Sequence, residues 1–240
     1  MIRAVTFDFW NTLMYEPDGH LRGRRQDAWM GILEEAGFAC EREQLDAVFA
    51  AGWERFTESW KANQQLLAVA AAEAILDDLG FDLPFDVRDA LIEAFTQAGN
   101  EAEIVPADGI AACLDELRSA GVRVGIICDV GMTPSTTLRA HLDGHGLLGS
   151  FDHWSFSDEV GVYKPDPVIF RHALDGLGGI DPADAAHVGD LRRTDVAGAL
   201  GMGMTAIRYT GIFDDDTQPE PEGHHVVDDH RKLPALLEAG

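Results

Sequence analysis

Carboxylate side chains stand at or just after the ends of four short apolar segments of this 240-residue sequence. The four segment ends are Asp8, Cys128-Asp129, Ser157-Asp158 and Gly189-Asp190. Lys164, one of only three lysines in the chain, follows soon after the third of them. Carboxylates gathered around one ammonium group are components of catalytic and metal-binding sites. Four such ends in one chain therefore indicate a catalytic cleft more strongly than a set of isolated helix caps.

The hydrophobic pattern predicts the elements that must position these side chains. Short apolar runs predict strands at residues 2–8, 122–129, 153–158, 185–190 and 204–209. Helical patterns accompany the later strands, at residues 109–120, 134–146, 167–177 and 192–201. This alternation predicts an α/β fold with a Rossmann-like parallel sheet and helices on both faces. Because sites in such sheets lie at the carboxyl ends of the strands, we expect the four segment ends to meet in one crevice.

A long helical insert interrupts this alternation after the first strand. Helices are predicted at residues 22–36, 41–60, 63–79 and 86–98, separated by Gly37, Gly80 and Pro84. We therefore predict a core domain of residues 1–15 and 105–240, and an all-helical cap domain of residues 16–104. From about Gly211 onward the tail is acidic, and we expect it to be loop-rich and to end in a short helix.

The composition narrows the class of partner. The net charge of −24 argues against nucleic acid and against an anionic membrane, because phosphate groups are bound by basic patches. Cys40, Cys113 and Cys128 form no disulfide pattern, the first strand begins at once, and the apolar stretch 66–76 is too short to span a bilayer. We therefore expect a cytoplasmic monomer or homodimer that acts on a small molecule.

The motifs at the strand ends resemble those of the haloacid dehalogenase superfamily of hydrolases with a helical cap of the first type. The resemblance runs from Ile2 to about Tyr209. The four matching motifs are Asp8-Phe9-Trp10-Asn11-Thr12, "GIICD" at Cys128, "VYKPDP" at Lys164, and "VGDLRRTD" with Asp190 and Asp195. The third and fourth match the family pattern closely, whereas the first two are altered.

The resemblance implies a role for each matched residue. Asp8 would be a nucleophile that forms a covalent aspartyl intermediate. Mg²⁺ would be held by Asp8, the backbone carbonyl of Trp10 and Asp190, and would offset the repulsion between carboxylate and phosphate. Lys164 would pair with Asp8 and favour its ionised form, while Asp195 would orient the site from behind. The expected catalytic group also includes Thr12, Cys128 and Asp129.

Trp10 departs most from the family pattern. The family's phosphatases have a general acid/base at this position, worth about 10²–10⁴-fold in rate, and an indole can perform neither proton transfer. The family's dehalogenases carry an aromatic residue here and use no metal, but they lack an acid at the position of Asp190. We favour a Mg²⁺-dependent phosphatase of a small metabolite. A metal-free 2-haloacid dehalogenase-type hydrolase and a non-catalytic binding or regulatory protein of the same fold remain the alternatives.

Three further assignments have two interpretations each. Arg22, Arg24 and Arg25 open the first helix of the insert, where they either steer a small anionic substrate or form a solvated helix face. Asp129 is a candidate replacement base or a turn residue. Cys128 is a weak donor or a small buried apolar group.

Overall fold

The computed structural model describes residues 1–17, 19–217, 219 and 221–238, which divide into two compact units. The sheet unit contains Met1–Tyr15, Ile104–Asp129 and the described residues from Leu142 onward. The helical unit contains the described residues of Glu16–Glu103, together with Val130–His141. Residues 130–141, which the sequence-based division left with the core, thus pack with the helical unit.

Parallel strands form the centre of the sheet unit, as the alternating pattern predicts. The strands of the described chain are β1 (Ala4–Phe7), β2 (Met14–Tyr15), β3 (Val105–Pro106), β4 (Arg123–Cys128), β5 (His153–Phe156), β6 (Ala185–Gly189), β7 (Thr205–Tyr209) and β8 (His225–Val227). One sheet has the order β5-β4-β1-β6-β7-β8 with every pairing parallel. Because β1 lies between β4 and β6, its carboxyl end is at the switch point of the strand order.

Helices flank this sheet and bury its apolar faces. They are α5 (Ile110–Ser119), α7 (Ser157–Val160), α8 (Pro167–Gly176), α9 (Ala197–Met202) and α10 (Leu233–Glu238), whereas α6 (Ser135–Gly144) lies mostly in the helical unit. The Asp166 side chain accepts a hydrogen bond from the Val168 N–H, and Pro167 follows it as the first helical residue, so α8 begins where the sequence predicts. Ile169, Phe170 and Leu174 of α8 pack with Ile127 and Ala185 of the sheet.

The helical unit has its own apolar core. Its helices are α1 (Leu21–Glu35), α2 (Arg42–Lys61), α3 (Ala68–Leu79) and α4 (Phe85–Gln97). Trp29, Phe49 and Phe95 pack edge-on or tilted at its centre, with ring centroids 5.0–6.0 Å apart. The third helix begins five residues later than its pattern predicts: Asn63, with φ of 54°, occupies the left-handed region just after α2 ends.

Three features of the sheet unit differ from the sequence-based expectation. The predicted strand 153–158 ends at Phe156 because Ser157–Val160 forms a helical turn. The tail, expected to be loop-rich, contributes the edge strand β8, which has three residues and so presents too short a pattern to recognise. The short antiparallel pair β2–β3 was not anticipated either. None of the described helices has the length and hydropathy needed to cross a membrane.

Candidate active site

Asp8 follows β1 and remains attached to the sheet through its main chain. Its N–H donates to the Val188 carbonyl at 2.8 Å, after which the chain turns back so that the amides of Leu13 and Met14 both bond the Phe9 carbonyl. Asn11 holds the turn with a φ of 53°, a conformation that asparagine tolerates better than most residues. Asp8 is therefore a buried carboxylate at the end of a central strand, 7% exposed.

Lys164 joins three of the predicted site residues. Its Nζ donates to Asp8 Oδ1 at 2.5 Å, to Asp195 Oδ1 at 2.6 Å and to the Ile127 carbonyl at 3.0 Å. Its main-chain N–H donates to Asp129 Oδ1 at 2.8 Å. Lys164 is only 1% exposed, but its ammonium group has three hydrogen-bond acceptors. Asp129 in addition holds the main chain of the loop that carries Lys164. A buried charge with such partners is one that the fold can tolerate.

Asp195 is held on both of its oxygens. Its Oδ1 accepts from Lys164 and, at 2.9 Å, from His187 Nε2, while its Oδ2 accepts from the Leu191 N–H at 3.1 Å. Gly189 permits this placement, because a Cβ there would lie 2.3 Å from the Asp195 carboxyl carbon. The predicted helix 192–201 begins as a π turn over Arg192–Val196, a feature that is frequent at functional sites.

Asp190 lies beside Asp8, and among the described residues no cationic side chain forms an ion pair with it. β1 and β6 pair directly, and one carboxylate oxygen each of Asp8, Asp190 and Asp195 lie within 4.8 Å of one another. The described residues give the Asp190 side chain a single hydrogen-bond donor, Asn11 Nδ2 at 3.4 Å. Asn11 is a contact that the sequence analysis missed, and its only signal was an asparagine at a turn.

The carboxylates outnumber the cations at this site. When ionised, Asp8, Asp190 and Asp195 carry three negative charges against the single positive charge of Lys164. Burial raises the pKa of Asp8 to about 7 against the pull of Lys164, and burial together with the charge of Asp8 raises the pKa of Asp190 well above its usual range. Burial also opposes ionisation of Asp195, but Lys164 and His187 outweigh it and hold that pKa below its ordinary value. Asp8 and Asp190 therefore need a further positive charge to ionise together.

A divalent cation fits this donor set. Asp8 and Asp190 supply oxygen ligands, which Mg²⁺ prefers, and a divalent ion would offset two of the negative charges of the carboxylates. Asp195 is the least available of the three, because its oxygens already accept from Lys164, His187 and Leu191. This arrangement is consistent with a supporting position for Asp195 and a ligand position for Asp190.

The remaining predicted residues lie at or near the same strand ends. Trp10 is half-buried, and its ring packs edge-on against Phe9 with centroids 5.1 Å apart. The Thr12 hydroxyl is buried and has no hydrogen-bond partner in the part of the chain that the structure describes, whereas its carbonyl accepts from His230 Nε2 at 2.8 Å. Cys128 is buried, and its pKa is raised well above the ordinary value by burial and by Asp8.

The three arginines of α1 have different surroundings within the helical unit. Arg22 and Arg24 are exposed, but Arg25 is buried and donates to the carbonyls of Phe95 and Met132 and to the Thr133 hydroxyl, at 2.9–3.1 Å. Its guanidinium also lies 5.0 Å from the centre of the Phe95 ring, and burial lowers its pKa to about 10. These contacts give Arg25 a structural role.

Arg25→Met is expected to destabilise the protein by roughly 2–4 kcal/mol, since three hydrogen bonds from a charged and buried donor are lost. Urea unfolding measures this loss, with the exposed Arg22→Met as the matched control. If Arg25→Met left the unfolding midpoint unchanged and raised only the KM for substrate, the structural role would be wrong.

Comparisons with known proteins agree on one family. A profile described as haloacid dehalogenase-like hydrolase matches residues 2–203. The chain is 32% identical to the N-acylneuraminate-9-phosphatase of Mus musculus, over 99% of this chain and 94% of that protein. It is 24% identical to (S)-2-haloacid dehalogenase 1 of Pseudomonas sp. (strain CBS-3), over 98% and 96%. The crystal structure of a 2-haloacid dehalogenase from Pseudomonas syringae pv. Tomato DC3000 superimposes with a TM-score of 0.72 at 24% identity, covering 100% and 99% of the chains.

Proposed function

This chain belongs to the haloacid dehalogenase-like hydrolases, and we propose that within this family it is a Mg²⁺-dependent phosphatase of a small anionic metabolite. The observation that carries the proposal is Asp190. A second buried carboxylate beside Asp8, with one amide donor and no cation among the described residues, is costly unless a cation joins it. A reaction that needs no metal gives no reason for this arrangement.

The residues divide the work as follows. Asp8 and Asp190, with the Trp10 carbonyl, would hold the ion, which when bound offsets the charge between the carboxylates and the phosphate. Lys164 binds Asp8 Oδ1, so it orients the nucleophile. A carboxylate oxygen of Asp8 attacks phosphorus, the bond from phosphorus to the leaving oxygen breaks, and that oxygen departs with the electron pair. Water then attacks phosphorus, the bond from phosphorus to the Asp8 oxygen breaks, and the protons of the water leave with the inorganic phosphate, so Asp8 is again a free carboxylate.

Trp10 limits which phosphoesters this chemistry can cleave. An alkoxide leaves poorly without a proton, and the indole has none to transfer in this role. Asp129 is held by the main-chain N–H of Lys164, which accounts for its presence without a proton-transfer role. We therefore propose that the preferred substrates are phosphates with a good leaving group, such as acyl or aryl phosphates.

A substrate panel with and without Mg²⁺ tests the proposal. Acyl, aryl and alkyl phosphates and 2-haloacids are assayed in the presence of Mg²⁺ and after chelation. Phosphate release that requires Mg²⁺ is expected, with acyl and aryl phosphates cleaved fastest. Halide release that is insensitive to chelation would instead assign the dehalogenase reaction.

The dehalogenase reaction is the second candidate, and Trp10 is the observation that favours it. Displacement of halide from carbon needs no general acid, because halide departs unaided, and an aromatic residue beside Asp8 is compatible with such a substrate. The same nucleophile, Asp8, would form an ester with carbon that water then hydrolyses. This candidate does not explain why a second carboxylate, Asp190, is buried beside Asp8 at a cost in free energy.

Mg²⁺ is expected to raise the Tm more at about pH 8 than at about pH 5. At the lower pH, Asp8 and Asp190 hold protons that the ion must displace, because their pKa values are raised. In the unfolded chain these carboxyl groups lose their protons near pH 4, whereas in the folded protein they keep them to a higher pH. The free energy of unfolding therefore falls as the pH rises from about 4 towards the pKa of the folded state. Ion binding to the folded protein relieves this cost at high pH.

Thermal unfolding at the two pH values measures the difference, with Asp190→Asn as the matched control. That variant removes one of the repelling charges, so it should lose the response to Mg²⁺ and exceed the wild type in Tm at the higher pH without the ion. Equal Mg²⁺ shifts at both pH values, or a full shift in Asp190→Asn, would contradict the metal site.

A further inference from the structure

His187 lies behind the site, on β6, and in the described part of the chain neither of its ring nitrogens is hydrogen-bonded to a group assigned to substrate or metal. Its Nε2 is 2.9 Å from Asp195 Oδ1, and its Nδ1 is 2.9 Å from the Thr6 hydroxyl of the neighbouring strand β1. The ring is 1% exposed and packs edge-to-face with the Phe170 ring, with centroids 5.2 Å apart. The imidazole is thus held by a hydrogen bond at each nitrogen and by packing against Phe170.

The proton on this imidazole has a defined position. Burial lowers the pKa of His187 despite the hydrogen bond to Asp195, so the ring is neutral near pH 7 and carries one N–H. Because the ionised Asp195 can only accept, that proton is on Nε2. Nδ1 then accepts from the Thr6 hydroxyl, which is closer to it than to the Ala186 carbonyl, at 2.9 against 3.3 Å.

We propose that His187 is a positioning residue for the reaction, acting through Asp195 and Lys164 on Asp8. The hydrogen bonds run from Thr6 to His187, from His187 to Asp195 Oδ1, and from Lys164 to both Asp195 Oδ1 and Asp8 Oδ1. Asp195 Oδ1 is shared by His187 and Lys164, so a change in one contact displaces the acceptor of the other. The inference rests on Asp8 as the nucleophile of the proposed function, and not on the identity of the substrate.

Two substitutions at position 187 separate positioning from packing. Glutamine keeps an N–H donor for Asp195, whereas methionine fills a similar volume without one. With p-nitrophenyl phosphate and Mg²⁺, His187→Met should lower kcat by about 10–100-fold with little change in KM, because groups that orient a site typically have effects of this size. His187→Gln should recover most of that loss. Equal loss in both variants while both remain folded, or a change confined to KM, would overturn the proposal.

A measurement on the wild type does not depend on turnover or on the folding of a variant. ¹⁵N-histidine NMR at about pH 7.5 should show His187 as the neutral Nε2–H tautomer. An Nδ1–H tautomer, or a doubly protonated ring at that pH, would overturn the proposal independently of the kinetics. Absence of p-nitrophenyl phosphate cleavage by the wild type would count against the proposed phosphatase, and the tautomer would then decide for or against His187.

Discussion

Asp8→Asn is expected to reduce turnover to below about one per cent of the wild-type rate, since an amide is a poor nucleophile and no second group can replace a residue that forms the covalent bond. The amide keeps the shape of the side chain and can still accept from Lys164. It also removes one of the two carboxylates whose pKa values burial raises, so the protein should be at least as stable as the wild type at neutral pH.

A loss of turnover without a loss of stability distinguishes removal of the nucleophile from a failure to fold. The measurements are kcat, the Tm and, after rapid quenching in acid, the mass of the chain, which in the wild type should show one added phosphoryl group. Asp175→Asn, an exposed aspartate of α8 in the same unit, is the matched control and should change none of them. Substantial turnover by Asp8→Asn, or a phosphorylated form of that variant, would exclude Asp8 as the nucleophile.

Trp10→Asp is expected to raise the rate of alkyl phosphate cleavage by up to about 10²–10⁴-fold, the usual contribution of a general acid/base. Aryl phosphates need little protonation of the leaving oxygen, so the rate at which they phosphorylate Asp8 should change much less, and the ratio of aryl to alkyl rates for that step should fall towards one. Because Trp10 is only half-buried, the substitution should cost about 1–3 kcal/mol, less than for a fully buried tryptophan.

The rates are compared for p-nitrophenyl phosphate and glycerol phosphate, each normalised to the folded fraction. Trp10→Phe is the control, because it replaces the indole with a smaller aromatic ring that cannot supply a proton. Its ratio of aryl to alkyl rates should resemble that of the wild type. A wild-type ratio already near one would mean that another group donates the proton. The explanation of Trp10 as the limit on substrate range would then be wrong.

The central sheet could be predicted because its strands are short, almost wholly apolar and followed by polar residues. Parallel strands buried on both faces leave such a pattern, and the order of the motifs along the chain places their ends at one edge. The edge strand β8 could not be recognised, because His225 and Val226 are exposed and only Val227 is buried. A three-residue strand with one buried side chain has no periodicity to read.

The site was predictable in its residue types and less so in its contacts. Lys164 and Asp195 were identified from motifs, but a sequence does not reveal that Asp195 also accepts a hydrogen bond from His187. The sequence also does not reveal that three hydrogen-bond acceptors surround Arg25, because Arg25 is one of three similar arginines at the start of a helix. Main-chain acceptors that are distant in sequence have no effect on the local residue pattern, so these contacts can be identified only from the three-dimensional structure.

The pairing of β1 with β6 has a consequence for how this reaction centre can change. Asp8 and Asp190 are attached to adjoining strands, and the Asp8 N–H is bonded to Val188 of the partner strand, so hydrogen bonds of the sheet fix the spacing of the two carboxylates before any ligand arrives. Trp10 lies beyond that ladder, in the turn from Phe9 to Met14. Substitution there alters proton transfer while the carboxylates keep their places, so one rigid frame can serve leaving groups of very different basicity.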